Sequence, residues 1–218
     1  NASSLTFRRD VINEIGFFDN VRKGADSEFD ARISAWRPGS ISLVGIEPLS
    51  IIRMGHDSLS RSEFKPMWNH PARQAYRSAY SRWHTKSKES GVSLFLDSVQ
   101  NVRKFCAPTR FVNSSAPKEL DLIYASSFTT QDYETIDEHY EEILKLKTHG
   151  IRIGLLQVRP LPIDKPLDAR IQDLLNSGEI SLVMRDDVVT TNVLLFRKAR
   201  PLQIESVLPF NVSALRCL

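Results

Sequence analysis

The sequence predicts an α/β chain in three stretches: a mixed first part over residues 1–88, a helix and linker over 89–117, and a Rossmann-like parallel-sheet half-domain over 118–218. Three observations carry this reading. From Leu120 onward, short apolar strands alternate with amphipathic helices, the pattern of βαβ units and a parallel sheet. Before residue 90, helical stripes dominate, with Phe29, Ile33 and Trp36 at i, i+4 and i+7, and Ala72, Tyr76, Ala79, Tyr80 and Trp83 further on. Between the two, Pro108, Asn113, Ser114, Ser115 and Pro117 make 107–118 read as a connecting segment.

In order, Ser4-Leu5-Thr6-Phe7 alternates polar and apolar, so 3–8 is predicted as a strand. Arg9 to Ile15 reads as a short helix, with Val11, Ile12 and Ile15 on one side and Gly16 as its stop. The central helix spans 26–36. Asp26 and Ser27 are good cap types, Glu28 suits the positive end of the helix, and Glu28–Arg32 is a favourable i, i+4 pair. Pro38-Gly39 ends it. Residues 41–46 and 50–53 read as strands, 66–88 as one helix or two, and 92–106 as another amphipathic helix through Val92, Phe95, Leu96, Val99, Val102 and Cys106. In the last part, strands are expected at 121–127, 151–158, 180–184 and 192–197, and helices at 132–149 and 169–175. No Gly-x-Gly-x-x-Gly follows the first of these strands, which argues against a dinucleotide cofactor.

Composition narrows the function classes. The chain has 218 residues, 29 basic against 26 acidic, for a net charge of +3; so balanced a charge gives no argument for a nucleic acid partner. The two cysteines, Cys106 and Cys217, offer neither metal spacing nor a disulfide framework, and a reducing compartment is expected. No apolar run is long enough for a transmembrane helix.

Phe7-Arg8-Arg9-Asp10-Val11, Ile15-Gly16-Phe17-Phe18-Asp19 and Gly24-Ala25-Asp26-Ser27-Glu28-Phe29-Asp30-Ala31-Arg32, in that order and spacing, resemble the second half of family-2-type glycosyltransferases of the GT-A fold. The likeness covers about the first 85 residues. The family's acidic motif usually reads Glu-Asp; here Ala25-Asp26 stands in its place, so only the Asp matches. The resemblance implies that Asp26 is the general base that deprotonates the acceptor hydroxyl, with Glu28 and Arg32 as acceptor-side residues that orient the loop or touch the acceptor. A plain capped surface helix is the other reading of the same stretch. The resemblance further implies a divalent metal ion, Mn or Mg, held mainly by residues upstream of residue 1 and completed by a late-loop histidine, for which His56 is the candidate. A solvated loop histidine is the alternative there. The upstream half would also carry the Asp-x-Asp motif, which does not occur in these residues. Trp68, Tyr80 and Trp83 become candidates for stacking on sugar rings.

A second likeness lies in Phe128-Thr129-Thr130-Gln131, His149-Gly150-Ile151-Arg152-Ile153-Gly154-Leu155 and Asn192-Val193-Leu194-Leu195-Phe196-Arg197, similar to the N-terminal Rossmann-like half of GT-B glycosyltransferases, as in bacterial surface-polysaccharide enzymes. Ser126-Ser127-Phe128-Thr129-Thr130 stands where that family often has a glycine-rich turn. Together these likenesses imply transfer of a sugar from a nucleotide-sugar donor to a glycan acceptor. They also imply a cytoplasmic location, at the inner face of the membrane through peripheral contact. A non-catalytic scaffold or carbohydrate-binding segment of a larger polysaccharide-biosynthesis protein is the competing class.

Overall fold

A computed structural model describes residues 6–42, 71–97, 103–112, 117–129, 133–158, 166–185, 187–197 and 211–217. The strands expected at 41–46 and 50–53 fall almost wholly outside these residues, as do His56 and Trp68.

Helix α1, Arg9–Ile15, ends at Gly16, whose φ of 78° is open to glycine at little cost. A Cβ there would stand 2.0 Å from the Leu96 carbonyl oxygen, so the position also has no room for a side chain. Leu96 pairs with Gly16 in a parallel bridge, with Leu96 N–H donating to Ile15 O (3.0 Å) and Phe17 N–H to Leu96 O (3.3 Å). This corrects the helix expected over 92–106: its described parts, 92–97 and 103–106, are not helical. Leu94 and Leu96 are buried with Phe95 between them 42% exposed, an alternation of two over 94–96, and Val92 is 60% exposed. The strand expected over 3–8 is likewise absent from residues 6–8. Phe7 instead packs on Phe18 and Phe29, at 6.2 and 5.1 Å between ring centroids.

Helix α2, Ala25–Trp36, begins one residue earlier than expected. Its cap is Gly24, left-handed at φ 80°, so Asp26 and Ser27 lie within the first turn and do not cap it. Helix α3, Pro71–Glu89, is one continuous helix that buries Ala72, Tyr76, Ala79 and Tyr80. Tyr80 is thus core, not a stacking platform. The expected helix-and-linker stretch, 89–117, is packed too: Phe105, and Phe111 in the 3-10 turn Thr109–Phe111, join the α3 cluster.

The remainder builds one sheet. Strand β1, Lys118–Ser126, is followed by helix α4 (Tyr133–Thr148), strand β2 (Ile153–Gln157), helix α5 (Ala169–Asn176), and strands β3 (Ser181–Val183), β4 (Val188–Phe196) and β5 (Asn211–Cys217). All neighbours are parallel, in the order β3-β2-β1-β4-β5. That order is Rossmann-like: the chain first moves one way from β1 and then resumes on its other side. Both faces are apolar, as parallel sheets require. Leu122, Tyr124, Ile153 and Leu155 join Ile136, Ile143 and Ile171 on the helical face, and Ile123, Ala125, Leu156 and Leu194 cluster on the other. Gly154 keeps β2 close to its neighbours, since a Cβ there would meet Leu120 and Val183 at 2.4 and 2.6 Å.

Helices α3 and α5 join the two portions. Arg82 donates from two nitrogens to the Asp173 carboxylate, at 2.9 and 2.7 Å, and Lys86 adds a third contact at 3.3 Å. Asn176 donates to Ala79 O (3.0 Å) and accepts from Cys106 N–H (3.1 Å). Burial pushes the Asp173 carboxyl up, but its bonds to Arg82 and the nearby cations outweigh this and hold it below its ordinary value.

Candidate functional site

The α2 N-terminus is held from beneath by buried polar chemistry. Phe29 and Ile33 set the inward face, and Glu28 and Arg32, one position before each and so about 100° round the helix, are buried as well. Both are 0% exposed. Arg32 Nε lies 3.1 Å from Glu28 Oε1, and His84 Nε2 of α3 lies 3.0 Å from the same oxygen. The remaining Arg32 nitrogens donate to Ile15 O (2.6 Å) and Phe17 O (2.5 Å). The guanidinium therefore ties α2 to the end of α1 and to the Gly16–Asp19 turn. Burial lowers the Arg32 pKa, and the charge of Glu28 opposes that shift. Glu28 Oε2 is buried without a hydrogen-bond partner among the described residues.

Asp19 closes the turn. Its buried carboxylate accepts from Tyr76 Oη (2.7 Å) and from Arg103. Burial first, then Asp19, pushes the Tyr76 phenol far above its ordinary value. The Tyr76 ring also lies 3.4 Å from where a Gly24 side chain would begin. Turn, cap and helix α3 thus form one rigid frame.

On that frame Asp26 sits in the first turn of α2, half-buried. Among the described residues its carboxylate makes no hydrogen bond or ion pair. Its charge is felt by Tyr80, whose phenol is raised chiefly by burial, with Arg77 opposing and Glu28, Asp26 and Asp30 adding. Of the predicted site residues, Asp26, Glu28 and Arg32 therefore share one helix, but only Asp26 offers an atom to solvent. Glu28 and Arg32 present none to an acceptor; their contacts are with the frame. The described residues contain no group of three or more His, Cys, Asp or Glu placed to hold a metal ion.

Sequence reasoning overlooked His84 and His139. Each lies on the apolar side of its helix, His84 after Trp83 and four after Tyr80, His139 three after Ile136 and four before Ile143. A histidine inside an apolar stripe was the available signal. His139 belongs to a second polar cluster at the carboxyl ends of β1 and β4, where the strand order reverses and open α/β sheets bind their ligands. There His139 Nδ1 meets Tyr124 Oη (2.9 Å) and Nε2 meets Ser126 Oγ (2.9 Å).

Among the described residues no helix is long and apolar enough to cross a membrane. No family model matches the chain, and no curated protein matches it.

Proposed function

We propose that the chain is part of a glycosyltransferase that moves a sugar from a nucleotide-sugar to a glycan hydroxyl, residues 1–88 being the acceptor side of a GT-A domain and Asp26 its general base. The observation that carries this reading is the contrast along α2: Asp26, half-buried in the first turn and without a partner among the described residues, stands beside Glu28, which is locked with Arg32 in the interior, while the third acidic residue, Asp30, is exposed one turn further on. A fixed backbone beneath an accessible carboxylate is what a positioned base requires.

In this reaction the acceptor hydroxyl oxygen bonds to the anomeric carbon as the bond to the diphosphate breaks. The electron pair leaves with the diphosphate, and the hydroxyl proton passes to an Asp26 carboxylate oxygen. Glu28 and Arg32 act as positioning residues. Inversion at the anomeric carbon, a divalent ion with His56 among its ligands, the GT-B-like identity of the sheet portion and a cytoplasmic location belong to the same reading and rest on the sequence resemblance. They carry no step of the chemistry described for this chain's residues.

The test uses the complete protein. Asp26→Asn keeps a polar, nearly isosteric side chain in the first turn but removes its basicity, so turnover should fall about 10²–10⁴-fold with donor affinity and melting temperature near wild type. Near-normal turnover in this variant removes Asp26 from the mechanism and favours a non-catalytic, carbohydrate-binding role for the segment. His56→Ala should raise the divalent-ion concentration that activity requires, and an unchanged metal titration removes His56 as a ligand. Purified residues 1–218 should show no transfer, and sugar-nucleotide turnover by them refutes the half-domain reading.

A further inference from the structure

We infer that His139 is held as an imidazolium, and that its second proton latches the end of β1 to the end of β4. The carboxyl edge of the sheet is thereby made sensitive to pH.

The inference follows from counting protons. Ser126 Oγ–H donates to Arg197 O (2.8 Å), and a carbonyl can only accept. Tyr124 Oη–H donates to Glu142 Oε2 (2.6 Å). Both hydroxyl protons are then committed. The two bonds of His139, to Tyr124 Oη and to Ser126 Oγ at 2.9 Å each, must draw their protons from the ring itself. Neutral imidazole carries one N–H, so all four bonds coexist only when the ring carries two.

The alternative home for the extra proton is Glu142. Arg197 argues against it, because its Nε and a terminal nitrogen reach the same Oε2 at 3.1 and 3.0 Å, which favours the ionised carboxylate. Burial and the bond to Glu142 push the Tyr124 phenol far above its ordinary value, so its proton stays in place. Among the described residues the groups facing His139 include Glu142 on its own helix, Tyr124 and Ser126 from β1, the Phe128 ring at 6.0 Å, and Arg197 just beyond β4, whose guanidinium bonds both Glu142 and the Tyr124 oxygen. Glu138, adjacent on α4, is exposed. The acidic member of the network, Glu142, is thus two bonds from the ring, through Tyr124.

Loss of the proton leaves one bond without a hydrogen. Either Ser126 turns to His139 and releases Arg197 O, or His139 releases Tyr124 or Ser126. Each outcome loosens the junction where the strand order reverses. Because the folded state holds this proton more tightly than the unfolded chain, the stabilisation is complete below the unfolded histidine value of about 6.5 and is lost as pH rises through the folded midpoint.

The test is a titration of the isotope-labelled chain followed by ring-nitrogen and amide NMR. At pH 7 His139 should show both ring nitrogens protonated. On raising the pH, the Ser126 and Arg197 amides should shift with the His139 midpoint. In Ser126→Ala that midpoint should fall, and the Arg197 response should vanish. Tyr124→Phe should lower it as well. A single neutral tautomer of His139 at pH 7 in the wild-type chain overturns the inference, whether or not the variants fold. A midpoint unmoved by Ser126→Ala overturns it equally.

Discussion

Arg32→Met tests the frame beneath Asp26 most directly. Methionine keeps the length of the apolar stem and removes the charge. Three interactions go at once: the bonds to Ile15 O and Phe17 O and the ion pair with Glu28. Breaking one side of a buried pair costs about 3–5 kcal/mol, and each buried carbonyl left without a donor about 1–3 kcal/mol. These losses overlap, since the turn can relax once it is released, so the expected cost is about 4 kcal/mol against a total stability of about 5–15 kcal/mol. Tryptophan fluorescence during urea unfolding reads this portion selectively, because Trp36, Trp68 and Trp83 are the chain's three tryptophans and all precede residue 90. At a slope of about 2 kcal/mol per molar, the midpoint should fall by about 2 M. Arg8→Met, which breaks an exposed pair with Asp10, should cost less than about 1 kcal/mol. Glu28→Gln added to Arg32→Met should recover part of the loss by removing the stranded charge. A midpoint for Arg32→Met within about 0.5 M of wild type would refute the frame, and a double variant no better than the single would show that Glu28 is not the source of the cost.

Gly16→Ala should destabilise the same portion by well over the about 1–2 kcal/mol of left-handed backbone strain, because its Cβ strikes Leu96 O; Gly39→Ala, at the same φ of 78° with open space around it, should cost only the strain. Equal melting losses for the two would disprove the clash. Asp173, held below its ordinary value, contributes stability that is present above the unfolded carboxylate value of about 3.9 and lost as pH falls through its folded value. Asp173→Asn should therefore flatten the acid limb of the stability profile, and an unchanged limb counts against the α3–α5 clamp. Burial pushes the Cys106 thiol up to about 11, so at pH 8 iodoacetamide should label it slowly in the native chain and rapidly in urea; peptide mapping that finds equal rates would contradict its burial.

The sheet portion was the more legible half because its signals are local. Runs such as Leu120–Ala125 and Ile153–Leu156 are apolar on both faces, which marks parallel strands without any knowledge of partners. The length of β4 was less visible: Val188–Thr191 interleaves exposed and buried positions, and Thr190 and Thr191 look like turn residues until β1 and β5 pair with them. In the first portion the spacing of Val92, Phe95, Leu96 and Val99 fits a helix as well as it fits anything, and only the approach of Leu96 to the side-chain-free Gly16 selects the extended form. Gly24 is a similar case. Asp26 and Ser27 are better cap residues on propensity, but the chain must turn in the left-handed region beside Tyr76, which glycine does at the lowest cost.

The site divides along the same line. Asp26 and Glu28 are two residues apart on a helix, about 200° around its axis, so they project from opposite sides. With Phe29 and Ile33 as the inward face, however, Asp26 lies about 40° from its centre and Glu28 about 120°, so rotation alone would bury Asp26 first. The sequence therefore does not contain the observed asymmetry between the two carboxylates. Nor does it contain the set of groups that makes a buried Glu28 tolerable. His84 is 56 residues away, and Ile15 O and Phe17 O are backbone atoms whose availability depends on α1 ending where it does. An i, i+4 Glu–Arg pair on a surface and the same pair in a core are identical as letters, and the difference between them is worth several kcal/mol in the effect of one substitution. Burial of Glu28 and Arg32 shifts the weight of the motif: the pair that resembled acceptor contacts holds the helix, and of the three predicted residues on α2 Asp26 alone is not buried.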